Sequence, residues 1–200
     1  MLNCAMGRGN SRVLVSPADR ERMQEVIRFT ARTLTTSTPV PFGALIVKST
    51  TGERLVRAVN AVARQNDPSC HAELRAVRLA CRKIKSTSLR GFTLYSTCEP
   101  CPMCMANAMW AGLDRVVYGA TMADASRHCR QIHISAKAVS RRSDMACIVE
   151  GPVLRKESYA LFTHPNMLRA FSSWMTANSS EAVAFTRSCL RASSVFSAAW

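Results

Sequence analysis

No stretch of this 200-residue sequence approaches the 18 or more apolar residues of a membrane-spanning helix, so no segment reads as one. Its start, MLNCAMGRGNSRVLVS, also lacks the compact apolar core of a secretory signal, and the expected compartment is the cytoplasm. Acidic residues are scarce: 13 Asp and Glu face 27 Lys and Arg, for a formal charge of +14. Such basicity attracts phosphate non-specifically. Aromatic residues make up only 6% and do not interleave with the arginines as stacking platforms, and the arginines are spread along the chain rather than gathered into one stripe. Nucleic acid therefore stays a possible partner, less favoured than a small molecule.

Cysteine, by contrast, is plentiful. The count is nine, an odd number, and Cys98, Cys101 and Cys104 crowd together. That pattern speaks against a disulfide framework and for metal binding in a reducing compartment. Cys4, Cys70, Cys81, Cys129, Cys147 and Cys189 read as small core or incidental residues. At 48% hydrophobic composition, a chain of this length buries one sizeable core. The expected organisation is an N-terminal extension over 1–15, a catalytic domain over 16–165 and a poorly ordered C-terminal extension over 166–200. The last part, from Ser172 on, is rich in Ser and Ala without caps or turns.

Within the domain, Ser16 reads as an N-cap before Pro17, and Met23, Val26, Ile27, Thr30 and Leu34 recur at helical spacing. Phe42 to Val47 is a continuous apolar run of the buried-strand type, Thr51-Gly52 is a turn, and Leu55 to Ala63 returns as its hairpin partner. A helix from His71 to Lys85 is predicted to turn Leu74, Val77, Cys81 and Ile84 inward. A strand over Phe92 to Thr97, a helix from Pro100 to Ala111, strands at Arg115 to Gly119 and Ala146 to Val149, and a helix from Val153 to Phe162 complete the pattern. Strands alternating with helices indicate an α/β sheet covered on both faces.

Chemistry concentrates in His71-Ala72-Glu73 and Glu99-Pro100-Cys101-Pro102-Met103-Cys104. Two sulfurs three residues apart at a helix start share one face, and the positive end of the helix favours their thiolate forms. A histidine opening a separate helix adds a third ligand and leaves the fourth tetrahedral position for water, the arrangement of catalytic rather than structural zinc. Cys98 is the candidate for closing such a site, but it precedes the helix at a strand end and does not share the helix face. Glu73, two residues after the histidine, is placed to take a proton from an attacking water and hand it on.

From about Pro41 to Ala125 the chain resembles the cytidine deaminase superfamily, and within it the bacterial guanine deaminases, through PFGALIV, NDPSCHAEL, TLYSTCEPCPMC and RVVYGA. The resemblance implies a three-layer α/β/α sandwich around a five-stranded mixed sheet, a homodimer and one Zn2+ held by His71, Cys101 and Cys104. It implies Glu73 as the proton carrier, Asn60 as a hydrogen-bonding partner of the substrate ring and Phe42 as a pocket wall. The backbone near Ala72 is implied to hold the ring carbonyl, and Asp124 to read a purine edge. The implied reaction is guanine to xanthine plus ammonia. A tRNA-specific adenosine deaminase, a cytosine or cytidine deaminase and a non-catalytic zinc-stabilised binding module stay open. Residues 126–147 depart from the guanine deaminase pattern on the specificity side of the pocket.

Overall fold

The computed structural model describes residues 15–174. Its first element follows from a capping box: Ser16 Oγ accepts the Asp19 N–H, and Asp19 Oδ2 accepts the Ser16 N–H. With Pro17 at the first helical position, α1 runs over Pro17–Ala31, and a 3₁₀ turn over Arg32–Thr35 extends it. The hairpin is β1 (Gly43–Lys48) and β2 (Arg54–Val59). Short α2 (Val62–Gln65) leads to α3 (Ala72–Ile84), then β3 (Phe92–Cys98), α4 (Pro102–Trp110) and β4 (Arg115–Ala120). The remaining elements are α5 (Met122–Ala125), α6 (Ala136–Arg141), β5 (Ile148–Glu150) and α7 (Arg155–Thr163), followed by helical residues 165–174, designated α8.

Five strands lie in the order β2-β1-β3-β4-β5. β1 is antiparallel to both β2 and β3, whereas β3, β4 and β5 are parallel, so the sheet is mixed. Alternation along the strands sorts the core. Ala44, Ile46 and Leu94 face α3 and α4, with Ala72, Ala76, Val77 and Met105. Leu45, Val47, Tyr95 and Val117 face α1, with Met23 and Val26. This is the expected α/β/α sandwich, with helices on both faces of the sheet. Among the described residues no helix is long and apolar enough to cross a membrane.

The chain is drawn tight at the end of the sheet that carries the site. Gly43 opens β1 against α1, where a Cβ would fall 1.8 Å from Thr30 Oγ1, so only glycine fits there. At the opposite end Arg115 donates to both oxygens of Asp19, at 2.5 and 2.9 Å, and also pairs with Glu150. Tyr95 Oη adds a third bond to Asp19 at 2.7 Å. Burial by itself raises the Asp19 pKa, but these bonds outweigh it and hold the carboxyl well below the usual range.

Three expectations are corrected. The inward face of α3 is Ala72, Glu73, Ala76, Val77 and Ala80, while Leu74, Cys81 and Ile84 are only half-buried. Small alanines let the helix lie close on the sheet, and the larger residues pack at its margin. α2 and α6 stand where no helical period is visible. The domain also continues past 165: Met167 and Phe171 of α8 are buried with Leu34, Leu161 and Phe162. The poor order expected from 166 therefore does not hold through 174. The expected extension over 1–15 falls almost wholly outside the described residues, as does the remainder of the C-terminal one.

Candidate metal centre and active site

His71 and Cys101 are the N-cap residues of α3 and α4, both in extended conformation, and neither side chain bonds its own helix. Ser, Thr, Asp or Asn normally fills that position to satisfy the first amides. Here the two side chains turn toward each other instead. His71 Nδ1 lies 3.6 Å from Cys101 Sγ and 3.5 Å from Cys104 Sγ, one helical turn on. All three donor atoms lie within 4.8 Å of one another, a grouping found nowhere else among the described residues. Tetrahedral zinc, with bonds of about 2.3 Å to sulfur and about 2.0–2.1 Å to nitrogen, requires a nitrogen–sulfur separation of about 3.6 Å. The residues fit zinc.

Electrostatics prepare the same atoms. The neighbouring Cys104 thiol and the His71 imidazole pull Cys101 down to about 4, against the penalty of burial. The bond to Cys101 and burial push Cys104 up, so the pair holds one negative charge readily and resists a second without a cation. Cys98 stays out: it is buried and its Sγ leans toward the Thr121 carbonyl at 3.9 Å.

Glu73, in the first turn of α3, is 5% exposed. Burial raises its pKa, and the nearby His71 partly opposes the rise. Ser96 Oγ donates to Glu73 Oε1 at 3.1 Å from the centre of β3, fixing one oxygen. Sequence reasoning missed this residue. It also missed Thr97, whose hydroxyl donates to the Pro41 carbonyl and accepts the Gly43 N–H, clasping the segment that carries Phe42. Glu99 was missed too: its two oxygens accept the N–H groups of Met122 and Ala136, so the metal loop is tied to the starts of α5 and α6.

The expected substrate residues divide. Asn60 and Phe42 adjoin at the site end of the hairpin, where the Asn60 N–H donates to the Phe42 carbonyl at 3.0 Å. Ala61 N–H bonds the Cys70 carbonyl, which brings this corner beside His71. Asn60 Oδ1 accepts the Val62 N–H, leaving its amide N–H groups as donors to offer. Phe42 packs edge-on against Phe162, with centroids 5.2 Å apart. Ala72 is fully buried as the first residue of α3.

Asp124 is held by the protein's own groups. It is the third residue of α5 and the acid of a capping box with Thr121, whose N–H and hydroxyl donate to Oδ2 at 3.0 and 2.9 Å. Arg155 donates to both of its oxygens at 2.8 Å. With Arg155 the main cause, the carboxyl lies well below the usual range. Both oxygens already accept bonds from the protein itself, an engagement that the expectation of a purine reader did not include.

An α/β/α sandwich that brings a His-Cys-Cys triangle and a buried glutamate to two helix starts defines a candidate zinc centre. The chain belongs to the family described as the cytidine and deoxycytidylate deaminase zinc-binding region, which it matches over residues 17–120. It is 43% identical over 86 residues to a guanine deaminase of Bacillus subtilis, covering 43% of this chain and 54% of that one. It is 41% identical over 81 residues to a tRNA-specific adenosine deaminase of Aquifex aeolicus, covering 40% of this chain and 52% of that one. The chain thus spans about half the length of these curated relatives. In fold it is similar to a guanine deaminase from Nitrosomonas europaea, with a TM-score of 0.63 at 22% identity, over 86% of this chain and 99% of that one.

Proposed function

We propose that this chain is a zinc-dependent hydrolase that removes the exocyclic amine of a nucleobase or nucleoside, with guanine to xanthine plus ammonia as the reaction to test first. One observation carries the reading: a carboxylate buried beside three converging ligands. Held there by His71, Cys101 and Cys104, zinc would supply the Lewis acidity that brings a water's pKa toward neutrality and makes it a nucleophile for the ring carbon. Glu73 takes the proton from that water and passes it to the adjacent ring nitrogen. It then carries the second proton to the exocyclic nitrogen, the carbon–nitrogen bond breaks, and ammonia leaves as the carbonyl forms. Ser96 keeps the carboxylate aligned through both transfers. Asn60 offers amide N–H donors to the ring, Phe42 forms a wall, and the Ala72 N–H binds a ring oxygen.

The guanine assignment is supported by the similarity to the Bacillus subtilis enzyme and draws nothing from Asp124. A tRNA adenosine substrate is the second reading, favoured by the basic composition and by the Aquifex aeolicus relative. We also propose a homodimer formed across α4, where Met103 and Trp110 are 37% and 78% exposed. An ammonia-release screen over guanine, adenine, cytosine, their nucleosides and tRNA decides the substrate. Preferred release from guanine supports the assignment. Release from a nucleoside or tRNA with guanine untouched replaces guanine but keeps the mechanism, and no release from any of them identifies a non-catalytic zinc-stabilised module.

A further inference from the structure

Basic residues that are dispersed in the sequence are assembled by the fold into one groove, on the side of the sheet opposite α3. Glu21, Glu25, Arg28 and Phe29 of α1 and Arg32 of the 3₁₀ turn that extends it recur at helical spacing along one outer stripe. Facing them is edge strand β2. There the register shifts: Ile46 pairs with Val56 but Val47 pairs with Arg54, so Leu55 is an extra, bulged residue. Without a bulge, residues three apart on a strand point to opposite faces. With it, Arg57 stands opposite Leu45 and Arg54 opposite Val47, both on the α1 side.

The result is a groove of about 290 Å³ lined by four arginines and two carboxylates. Glu25 is already shared among Arg22, Arg54 and Arg57. Arg28 and Arg32 are exposed and carry no ion pair among the described residues. They lie one turn, about 6 Å, apart along the helix. The Arg57 guanidinium lies over the Phe29 ring at 4.5 Å, adding a flat cationic surface.

We infer that this groove binds the phosphate backbone of a nucleic-acid strand. Guanidinium forks match phosphate oxygens bidentately, and the chain's charge of +14 draws a polyanion toward it. An acidic protein segment is the less favoured occupant, because Glu21 and Glu25 stand among the arginines while a phosphate strand brings denser charge to outweigh them. The groove is distinct from the metal centre, which α3 and α4 build on the other face of the sheet. The inference holds whichever ring the centre acts upon.

The test is fluorescence anisotropy of the full chain with a labelled single-stranded RNA of about 12 nucleotides, across a salt series. Arg28→Ala combined with Arg32→Ala is expected to weaken binding about tenfold and to lower the salt slope by about 1.4, the share of two phosphates on a single strand. Zinc content and ammonia release from a small substrate stay at wild-type levels, since both residues are remote from the metal. Arg82→Ala combined with Arg90→Ala, exposed cations elsewhere, keeps wild-type binding. Equal RNA binding by wild type and the groove variant, or an equal loss in the control pair, overturns the inference. Displacement of the RNA by inorganic pyrophosphate or polyglutamate at concentrations no higher than unlabelled RNA also overturns it, in favour of a small-anion or acidic-protein site.

Discussion

Replacing Asp124 by alanine separates a residue that reads the substrate from one that holds the scaffold. The variant strips Thr121 of the acceptor for its backbone N–H and hydroxyl, and it leaves Arg155 without its carboxylate. Loss of the capping interaction costs about 0.5–2 kcal/mol, and an unsatisfied buried N–H adds a cost of the same order. A total of about 2 kcal/mol corresponds to melting about 4–8 °C lower for a domain of this size. Arg155→Ala is expected to lower melting in the same direction and by less, since Thr121 still holds Asp124. Because the Met122 N–H at the start of α5 bonds the Glu99 carboxylate beside the metal loop, turnover of every substrate should fall by a similar factor. Thermal unfolding and kcat/KM for guanine, adenine and a nucleoside provide the assay. Unchanged melting together with a loss confined to guanine refutes the reasoning and makes Asp124 the purine reader.

Two further outcomes follow from the core and its charges. Asp19 and Asp124 both have folded-state pKa values below their unfolded ones, so the stability they contribute is present above about pH 4 and is lost as pH falls through the folded values. Asp19→Asn, which breaks a buried ion pair, should cost about 3 kcal/mol at neutral pH and flatten the acid limb of a stability–pH curve; an acid limb identical to wild type contradicts this. A chain ending at 164 loses buried Met167 and Phe171 and should melt at least about 10 °C lower than one ending at 174. Equal melting of the two truncations would show that α8 contributes nothing to the core.

What could be read from the sequence was what is local. His71, Cys101 and Cys104 are legible because each lies at a helix start marked by proline or by a change of period, and their grouping follows from those starts. Glu73 follows from its offset of two. Half of the engagement of Asp124 is legible as well, because Thr121 stands three residues before it, the spacing of a capping box; its other partner, Arg155, lies 31 residues away and is not. Ser96 and Thr97 act through contacts across the sheet and to α3, which no local pattern encodes. α8 was invisible because Met167 and Phe171 supply one short apolar stripe in a segment otherwise rich in polar and small residues. The basic groove was hidden for a similar reason: a one-residue bulge decides that Arg54 and Arg57 share a face with α1.

The central claim is that Glu73 moves protons beside a zinc held by His71, Cys101 and Cys104. Ammonia release by Glu73→Gln, measured on protein whose zinc content is determined in parallel, tests it most directly. The amide is nearly isosteric and still accepts a bond from Ser96, but it cannot carry a proton. One zinc per chain with release lowered by about 10²- to 10⁴-fold is the expected result. Full zinc occupancy with activity within about tenfold of wild type would contradict the claim and assign the proton transfers to another residue.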